Sequence, residues 1–116
     1  MIKYEPLIPM GEYLQLPHTD RTDGFWGDYW LTVNHERDGL CAHGHIEAQG
    51  RGEEMMTHVI DELQAQADAR GCTITHEFIP STDRALKLAL RTPGYTFAGT
   101  LANGNPVFRR EYRSNR

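Results

Sequence analysis

The chain of 116 residues lacks much of what several protein classes require. It has two cysteines, Cys41 and Cys72, which are too few for a disulfide framework and lack the CxxC spacing of a zinc site. No apolar run is long enough to span a bilayer, and residues 1–14 lack the apolar segment of a secretory signal. These absences predict a cytoplasmic protein in a reducing compartment, with no membrane contact.

Catalytic and binding signatures of other classes are also missing. Ser81 and Ser114 are the two serines, one at a predicted helix start and one near the end of the chain, which argues against a Ser-His-Asp hydrolase. The glycines form neither GxxxxGK[ST] nor GxGxxG, so neither an NTPase nor a dinucleotide enzyme is expected. The formal net charge of −4 argues against a broad nucleic-acid interface.

What is present fits one globular domain over residues 1–116, with 39% apolar and 24% charged residues. Strands are predicted over residues 2–8, shortened by Pro6, over 11–16, and over the aromatic segment 25–33. Residues 17–24 are polar and predict a surface loop that includes His18. The segment NHERDG at 34–39 predicts a hairpin turn into a strand that starts at Leu40.

The centre of the chain predicts a strand, a glycine turn, a long helix and a second strand. Within the strand at 40–48, alternate residues from Leu40 to Ala48 are expected to face the core, opposite the row of Cys41, His43, His45 and Glu47. The helix follows the turn at Gly50 and Gly52 and ends near Gly71. Its apolar face is formed by Met56, Val59, Ile60, Leu63 and Ala67, with Met55 alongside. The next strand covers residues 72–79, and the helix start is a natural seat for a phosphate.

The last third predicts a second helix with Asp83 in its first turn, which Pro93 and Gly94 terminate. A hairpin of strands over 95–101 and 106–112 closes the chain. The element order predicts a mixed α/β (α+β) fold with a mixed central sheet of about six to seven strands and two main helices.

The second half resembles the GNAT superfamily of N-acetyltransferases over about residues 40–112. The turn QGRGEE is similar to the family's Q/R-x-x-G-x-G/A motif, with Gln49 and Gly52 matching and Glu54 in place of Gly or Ala. The segment DRALKLALRTPGYTFAG is similar to the family's Asn-x-x-Ala…Gly-Phe run, with Gly94-Tyr95 at the Gly-Phe position. The resemblance implies a compact, N-terminally reduced member, in which two parallel strands splay apart and hold acetyl-CoA.

The resemblance also implies which residues bind the cosubstrate. Backbone N–H groups of the turn would hold the pyrophosphate, and the family's Asn at the second helix start corresponds to Asp83 or Thr82. The predicted cofactor-binding residues are Gln49, Gly50, Arg51, Gly52, Glu53, Glu54 and Asp83. The chain departs from the family at two further points: Ala89 or Leu90 replaces the usual Tyr, and 48 residues precede the motif.

The reaction would transfer an acyl group to the amine of a small molecule or a protein, which requires a base for the ammonium. In family terms the base often lies on the strand before the motif, where Glu47 and His45 are the suitable groups, with His43 more remote. A simpler interpretation is that these residues are the solvated face of a strand. A weaker hypothesis is a metal site of His43, His45 and Glu47, completed by His76.

The competing hypothesis is a binding module that keeps the fold, has reduced catalysis and engages a protein partner. The aromatic segment with Trp26, Tyr29 and Trp30 supplies either core or an exposed patch for that partner or for the acceptor. The closing hairpin offers an edge for pairing, so a homodimer also stays open.

Overall fold

The computed structural model describes residues 11–17 and 19–115. The strand predicted over residues 2–8 and His18 lie outside the described residues. In chain order the elements are β1 (Glu12–Gln15), β2 (Trp26–Val33), β3 (Leu40–Glu47), α1 (Gly52–Arg70), β4 (Ile74–Phe78), α2 (Asp83–Arg91), β5 (Thr96–Thr100) and β6 (Pro106–Tyr112). A short 3-10 helix, Arg21–Asp23, lies in the loop between β1 and β2.

The strands form one six-stranded sheet in the order β1-β2-β3-β4-β6-β5. β3 and β4 pair in parallel, and the other neighbours pair antiparallel. The fold is therefore the predicted mixed α+β architecture, with a mixed central sheet, two main helices and both predicted hairpins. Within the described part of the chain, no helix is long and apolar enough to cross a membrane.

Helix α1 covers one face of the sheet with its apolar side. Met55, Met56, Val59, Leu63 and Ala67 are all buried, so both methionines are core residues as predicted. They pack in one cluster with strand residues of the same sheet face, including Leu31, Ala42 and Ile74. The helix ends as the sequence predicts. Gly71 takes a left-handed conformation with φ 63°, and its N–H donates to the carbonyls of Ala67 and Asp68 in the last turn.

The two central parallel strands separate after a short paired stretch. The parallel register joins Leu40–Ala42 to Ile74–His76, and β3 then runs on to Glu47 while β4 runs on to Phe78. Beyond Ala42 the strands keep only their outer neighbours, β2 and β6. The predicted alternation on β3 holds, although Gly44 is exposed and Ile46 half-buried because the strands have separated there.

Helix α2 begins where the sequence predicts. The hydroxyl of Thr82 accepts a hydrogen bond from the N–H of Ala85 at 3.1 Å, which caps the helix start, and Asp83 lies in the first turn. The helix ends at Arg91, just before Pro93 and Gly94. The chain then enters β5, an edge strand of the sheet.

Candidate functional site

A cavity of about 630 Å³ opens where β3 and β4 separate. Its walls come from the diverging ends of the two strands, the turn between β3 and α1, the first turn of α1 and one side of α2. Six of the predicted cofactor-binding residues line it: Gln49, Gly50, Arg51, Gly52, Glu53 and Glu54. The seventh, Asp83, does not, and its neighbours Thr82 and Arg84 line the cavity instead.

The turn into α1 holds an unusual backbone. Gln49 has φ 38° and Gly50 has φ 88°, both in the left-handed region, and the N–H of Arg51 donates to the carbonyl of Ala48 at 2.7 Å. In the described part of the chain, Gln49 is the one non-glycine residue with positive φ. Such strain collects at functional sites. Here the left-handed conformations of Gln49 and Gly50 turn the chain sharply from β3 into the helix.

The first turn of α1 has no side-chain cap. Arg51 occupies the N-cap position, and no side chain of the described residues bonds to the helix start there. The first helical bond runs from the N–H of Met55 to the carbonyl of Arg51 at 3.0 Å. The N–H groups of Gly52, Glu53 and Glu54 precede that bond and have no carbonyl one turn earlier in the helix. An anion at this position would meet them together with the positive end of the helix dipole.

The two acids beside these amides are both paired with arginines. Glu53 lies 3.2 Å from the guanidinium of Arg91 on α2, and Glu54 lies 3.2 Å from that of Arg51. Neither carboxylate caps the helix. Their charges are therefore partly balanced beside the amides that an anion would meet.

Arg84 adds a positive charge beside the turn. A Cβ atom built on Gly50 would lie 3.4 Å from a terminal nitrogen of the Arg84 guanidinium. Within residues 11–17 and 19–115, Arg84 makes no hydrogen bond or ion pair, and it lines the cavity. An exposed guanidinium without a carboxylate partner is suited to a phosphate.

The loop before β2 holds the turn in place. The side chain of Gln49 lies directly over Gly24, whose φ of 67° and missing Cβ permit the contact. The guanidinium of Arg51 stacks over the ring of Phe25 at 3.9 Å. The sequence predicted a polar surface loop over residues 17–24 and a strand from Phe25, because nothing local indicates that Gly24 and Phe25 meet a turn far along the chain.

Gly52 brings the two helices close together. A Cβ atom at this position would lie 2.7 Å from a terminal methyl carbon of Leu88 on α2. The match to the family's motif glycine therefore has a local reason in this chain. The first turn of α1 approaches α2 closely across the cavity.

The two predicted catalytic residues lie together on β3. His45 Nε2 is 2.8 Å from a carboxylate oxygen of Glu47, and the ring of Trp26 lies 5.2 Å from the imidazole. Both side chains are accessible to solvent. His45 lines the cavity. Glu47 does not line it and is connected to it by the hydrogen bond with His45.

The metal hypothesis fails on geometry. The register pairs His76 with Ala42, so His76 lies on the sheet face opposite His43 and His45. His43 instead lies 3.0 Å from the hydroxyl of Thr32. In the described part of the chain, no group of three or more His, Cys, Asp and Glu residues could hold a metal ion.

A buried polar chain lies at the point where β3 and β4 separate. His76 is 3% exposed and lines the cavity. Its Nδ1 lies 2.6 Å from the hydroxyl of Tyr95, which lies 2.7 Å from the hydroxyl of Tyr112. The sequence predicted His76 only as a metal ligand, and the three residues come from β4, the segment just before β5, and β6.

The aromatic cluster of β2 divides between the two faces of the sheet. Tyr29 is buried, whereas Trp30 is 50% exposed and Tyr13 of β1 is 43% exposed. Trp30 and Tyr13 form an edge-to-face pair with ring centroids 5.3 Å apart. The predicted core role therefore holds for Tyr29 and not for Trp30.

No protein-family model matches the chain, and comparison with curated proteins gives no match. Among solved structures, the chain is similar to a protein from Bordetella pertussis that is described, provisionally, as a GnaT-family acetyltransferase. The identity is 17%, the match covers 86% of this chain and the TM-score is 0.48. This chain spans 65% of the length of that protein. At this identity and TM-score the likeness adds nothing to the site, whose chemistry follows from the chain's own residues.

Proposed function

We propose that the protein is an acyl-CoA-dependent N-acyltransferase, with acetyl-CoA as the cosubstrate and an amine as the acceptor. The observation that carries the proposal is the uncapped start of α1 at a cavity between two separated parallel strands. A helix start with free N–H groups binds a phosphate or diphosphate. The proposed diphosphate-binding site, or seat, consists of Gly50, Gly52 and the backbone N–H groups of Glu53 and Glu54.

The charges around that seat support a polyanionic ligand. Arg84 lies against Gly50 without a carboxylate partner in the described residues, and Arg51 and Arg91 also line the cavity. Three guanidinium groups outnumber the two carboxylates of Glu53 and Glu54, which two of the arginines already balance. Glu77, the third carboxylate of the cavity lining, is paired with Arg109 on the sheet, so Arg84 is left as an unbalanced positive charge beside the turn.

The shape of the cavity suits the rest of the cosubstrate. A volume of about 630 Å³ lies within the range of ligand sites in proteins, which is roughly 300–1,000 Å³. Past Ala42 and His76, β3 and β4 do not bond to each other, so each keeps backbone polar groups directed at the gap. The amides of a pantetheine arm could pair with these groups as an added strand does.

His45 and Glu47 are the proposed base for the acceptor. One of them, directly or through a water molecule, would take a proton from the ammonium. The amine nitrogen then attacks the acyl carbon, the carbonyl π electrons move to oxygen, and collapse of the intermediate breaks the C–S bond. The CoA thiolate leaves, and the nitrogen loses its second proton as the amide forms. One of the two protons goes to the thiolate and the other to solvent through the base, so the products are the amide, the CoA thiol and one released proton.

Thermal unfolding with acetyl-CoA tests the proposal. A ligand at a hundredfold excess over its Kd stabilises the folded protein by about 2.7 kcal/mol, which appears as a higher Tm. Gly52→Asp should abolish the shift by placing a carboxylate at the seat. Gly52→Asn is the matched control, because it meets Leu88 with the same size and lacks the charge, so it should lose less of the shift than Gly52→Asp. A wild-type protein without any shift would contradict the proposal.

A binding module with reduced catalysis is the second candidate function. The exposed pair of Trp30 and Tyr13 on the sheet favours it, since large exposed aromatics often mark partner contacts. Under this alternative, acetyl-CoA gives no shift, and Trp30→Ala weakens capture of a protein partner. A homodimer through the β5 edge remains part of this alternative.

A further inference from the structure

One buried polar side chain of the cavity wall is not used by the proposed diphosphate site. His76 lines the cavity, and three further buried residues contact it or continue its hydrogen-bond chain without lining the cavity themselves: Tyr95, Tyr112 and Tyr29. Tyr29 packs edge-on against His76 with ring centroids 5.2 Å apart, and it lies against Gly44 of the cavity wall. The Tyr29 hydroxyl is buried and has no hydrogen-bond partner within the described residues. A buried polar group without a partner is rare and needs an explanation.

Hydrogen-bond accounting gives the chain of His76, Tyr95 and Tyr112 a direction. In the described residues, the Tyr112 hydroxyl has one partner, the Tyr95 oxygen, so its proton has an acceptor only if it donates to Tyr95. Tyr95 then donates its own proton to His76 Nδ1. The reverse direction would leave a buried Tyr112 proton without an acceptor, at a cost of about 1–3 kcal/mol.

This direction fixes the tautomer of His76. With Nδ1 as the acceptor, a neutral imidazole carries its proton on Nε2. Burial, with a smaller effect from His43, lowers the pKa of His76 to about 4, so the ring is neutral at pH 7. Burial also raises the pKa of Tyr95 and of Tyr112, which keeps both phenols protonated.

We propose that the Nε2–H of His76 is the hydrogen-bond donor for the carbonyl oxygen of the acyl group, held in that role by Tyr95 and Tyr112. The inference rests on the proposed function and deepens it, because it names the group that recognises the acyl end of the cosubstrate. Within the described residues, no hydrogen bond involves His76 Nε2, which leaves this nitrogen for a ligand. His76 is a catalytic residue in this scheme, in addition to the base on β3, and Tyr95 and Tyr112 are positioning residues.

The donor would act most strongly during the reaction. As the amine attacks, negative charge develops on the carbonyl oxygen, and a fixed N–H donor stabilises it more than the neutral carbonyl. The His76 proton remains on Nε2 throughout, because a neutral imidazole N–H is a donor and not an acid at pH 7. The ammonium proton goes to the base on β3, and the electron pair of the C–S bond leaves with sulfur.

Binding of acetyl-CoA and of free CoA tests the inference, since the two ligands differ in the acyl carbonyl. Calorimetric titration should show that the wild-type protein binds acetyl-CoA about three- to tenfold more tightly than CoA, the value of one neutral hydrogen bond. His76→Leu should remove that preference and lower kcat, with the affinity for CoA unchanged. His76→Gln retains an N–H donor and should restore part of both. Thr75→Val on the opposite sheet face is the matched control. It should change neither the preference for acetyl-CoA over CoA nor kcat.

The tautomer of His76 can be measured in the wild-type protein, so this test does not depend on whether a variant folds. Nitrogen-15 NMR of the wild-type imidazole should report an Nε2–H tautomer, and acetyl-CoA but not CoA should shift the Nε2 resonance. Tyr95→Phe removes the hydroxyl that donates to Nδ1, so the imidazole should become a mixture of the two tautomers. Tyr112→Phe keeps that hydroxyl and should change the tautomer ratio less. An Nδ1–H tautomer, or an acetyl preference that survives His76→Leu, would overturn the inference alone. A wild-type protein that binds neither ligand would overturn the proposed function, and this inference with it.

Discussion

The guanidinium of Arg91 lies 3.2 Å from the carboxylate of Glu53, which joins the last turn of α2 to the first turn of α1. Both residues line the cavity. A carboxylate at a helix start is stabilising on its own but competes with any bound anion for the same N–H groups. Pairing with Arg91 holds this carboxylate towards α2, and the same arginine is held away from a ligand.

Removing the Glu53 charge should therefore improve anion binding. Glu53→Gln frees Arg91 and lowers the negative charge at the seat, and we expect the affinity for acetyl-CoA to rise by up to roughly fivefold, the value of an exposed ion pair. Calorimetric titration measures this. Glu62→Gln removes the same charge farther along α1, where Glu62 bonds to Gln66, and should leave the affinity unchanged. A weaker affinity in Glu53→Gln would contradict the assigned role.

Arg84 should contribute to the affinity for acetyl-CoA and not to the stability of the folded protein. Because it has no ion pair in the described residues and lies against Gly50, Arg84→Gln is expected to weaken acetyl-CoA binding by roughly tenfold, with Tm in the absence of ligand unchanged. Lys87→Gln is the matched control on the same helix, since Lys87 is exposed and outside the cavity lining. Equal losses in the two variants would mean that only general charge matters. The loss in Arg84→Gln should shrink at high salt.

The contact between Gly24 and Gln49 should matter for binding as well as stability. Gly24 and Gly71 have nearly the same φ, 67° and 63°, but a Cβ at Gly24 would strike Gln49 whereas one at Gly71 meets nothing within 4 Å. Each alanine variant should lose about 1 kcal/mol from the left-handed backbone alone. Gly24→Ala should lose more and also weaken acetyl-CoA binding by displacing the turn. Chemical denaturation and titration of both variants check this, and equal effects would show that the loop does not hold the turn.

The stability of the protein should fall on acidification through His76. In the folded state burial lowers the pKa of His76 to about 4, from an ordinary value of 6.5, so the unfolded chain takes up the proton first as pH falls. The stabilisation is therefore complete above pH 6.5 and lost towards pH 4, and amounts to about 3 kcal/mol. Urea unfolding at pH 7 and pH 4.5 measures it. His76→Gln should flatten this part of the pH dependence, and an unchanged slope would contradict the buried neutral state.

Much of the fold follows from local sequence. The period of apolar residues from Met55 to Ala67, the glycine at 71 and the Thr82 cap fix both helices within two or three residues. Alternation along β3 correctly predicted which face is buried. Strand order and the point at which β3 and β4 separate depend on long-range pairing, which no local pattern reports.

The site was predictable in part for the same reason. The turn from Gln49 to Gly52 is contiguous in sequence, so its residues could be named together. His76, Tyr95 and Tyr112 are separated along the chain and meet only through the register of β4 with β6 and the course of the chain after α2. The pairing of Glu53 with Arg91 likewise joins two helices, so no local pattern in the sequence indicated it.

Backbone NMR during an acetyl-CoA titration tests the central claim most directly, because it follows the amides that are proposed to hold the diphosphate. The account predicts that the N–H resonances of Gly50, Gly52, Glu53 and Glu54 shift most, and that Gly52→Asp abolishes those shifts. Resonances that stay unchanged at saturating ligand, or shifts confined to Trp30 and Tyr13 on the sheet face, would contradict it.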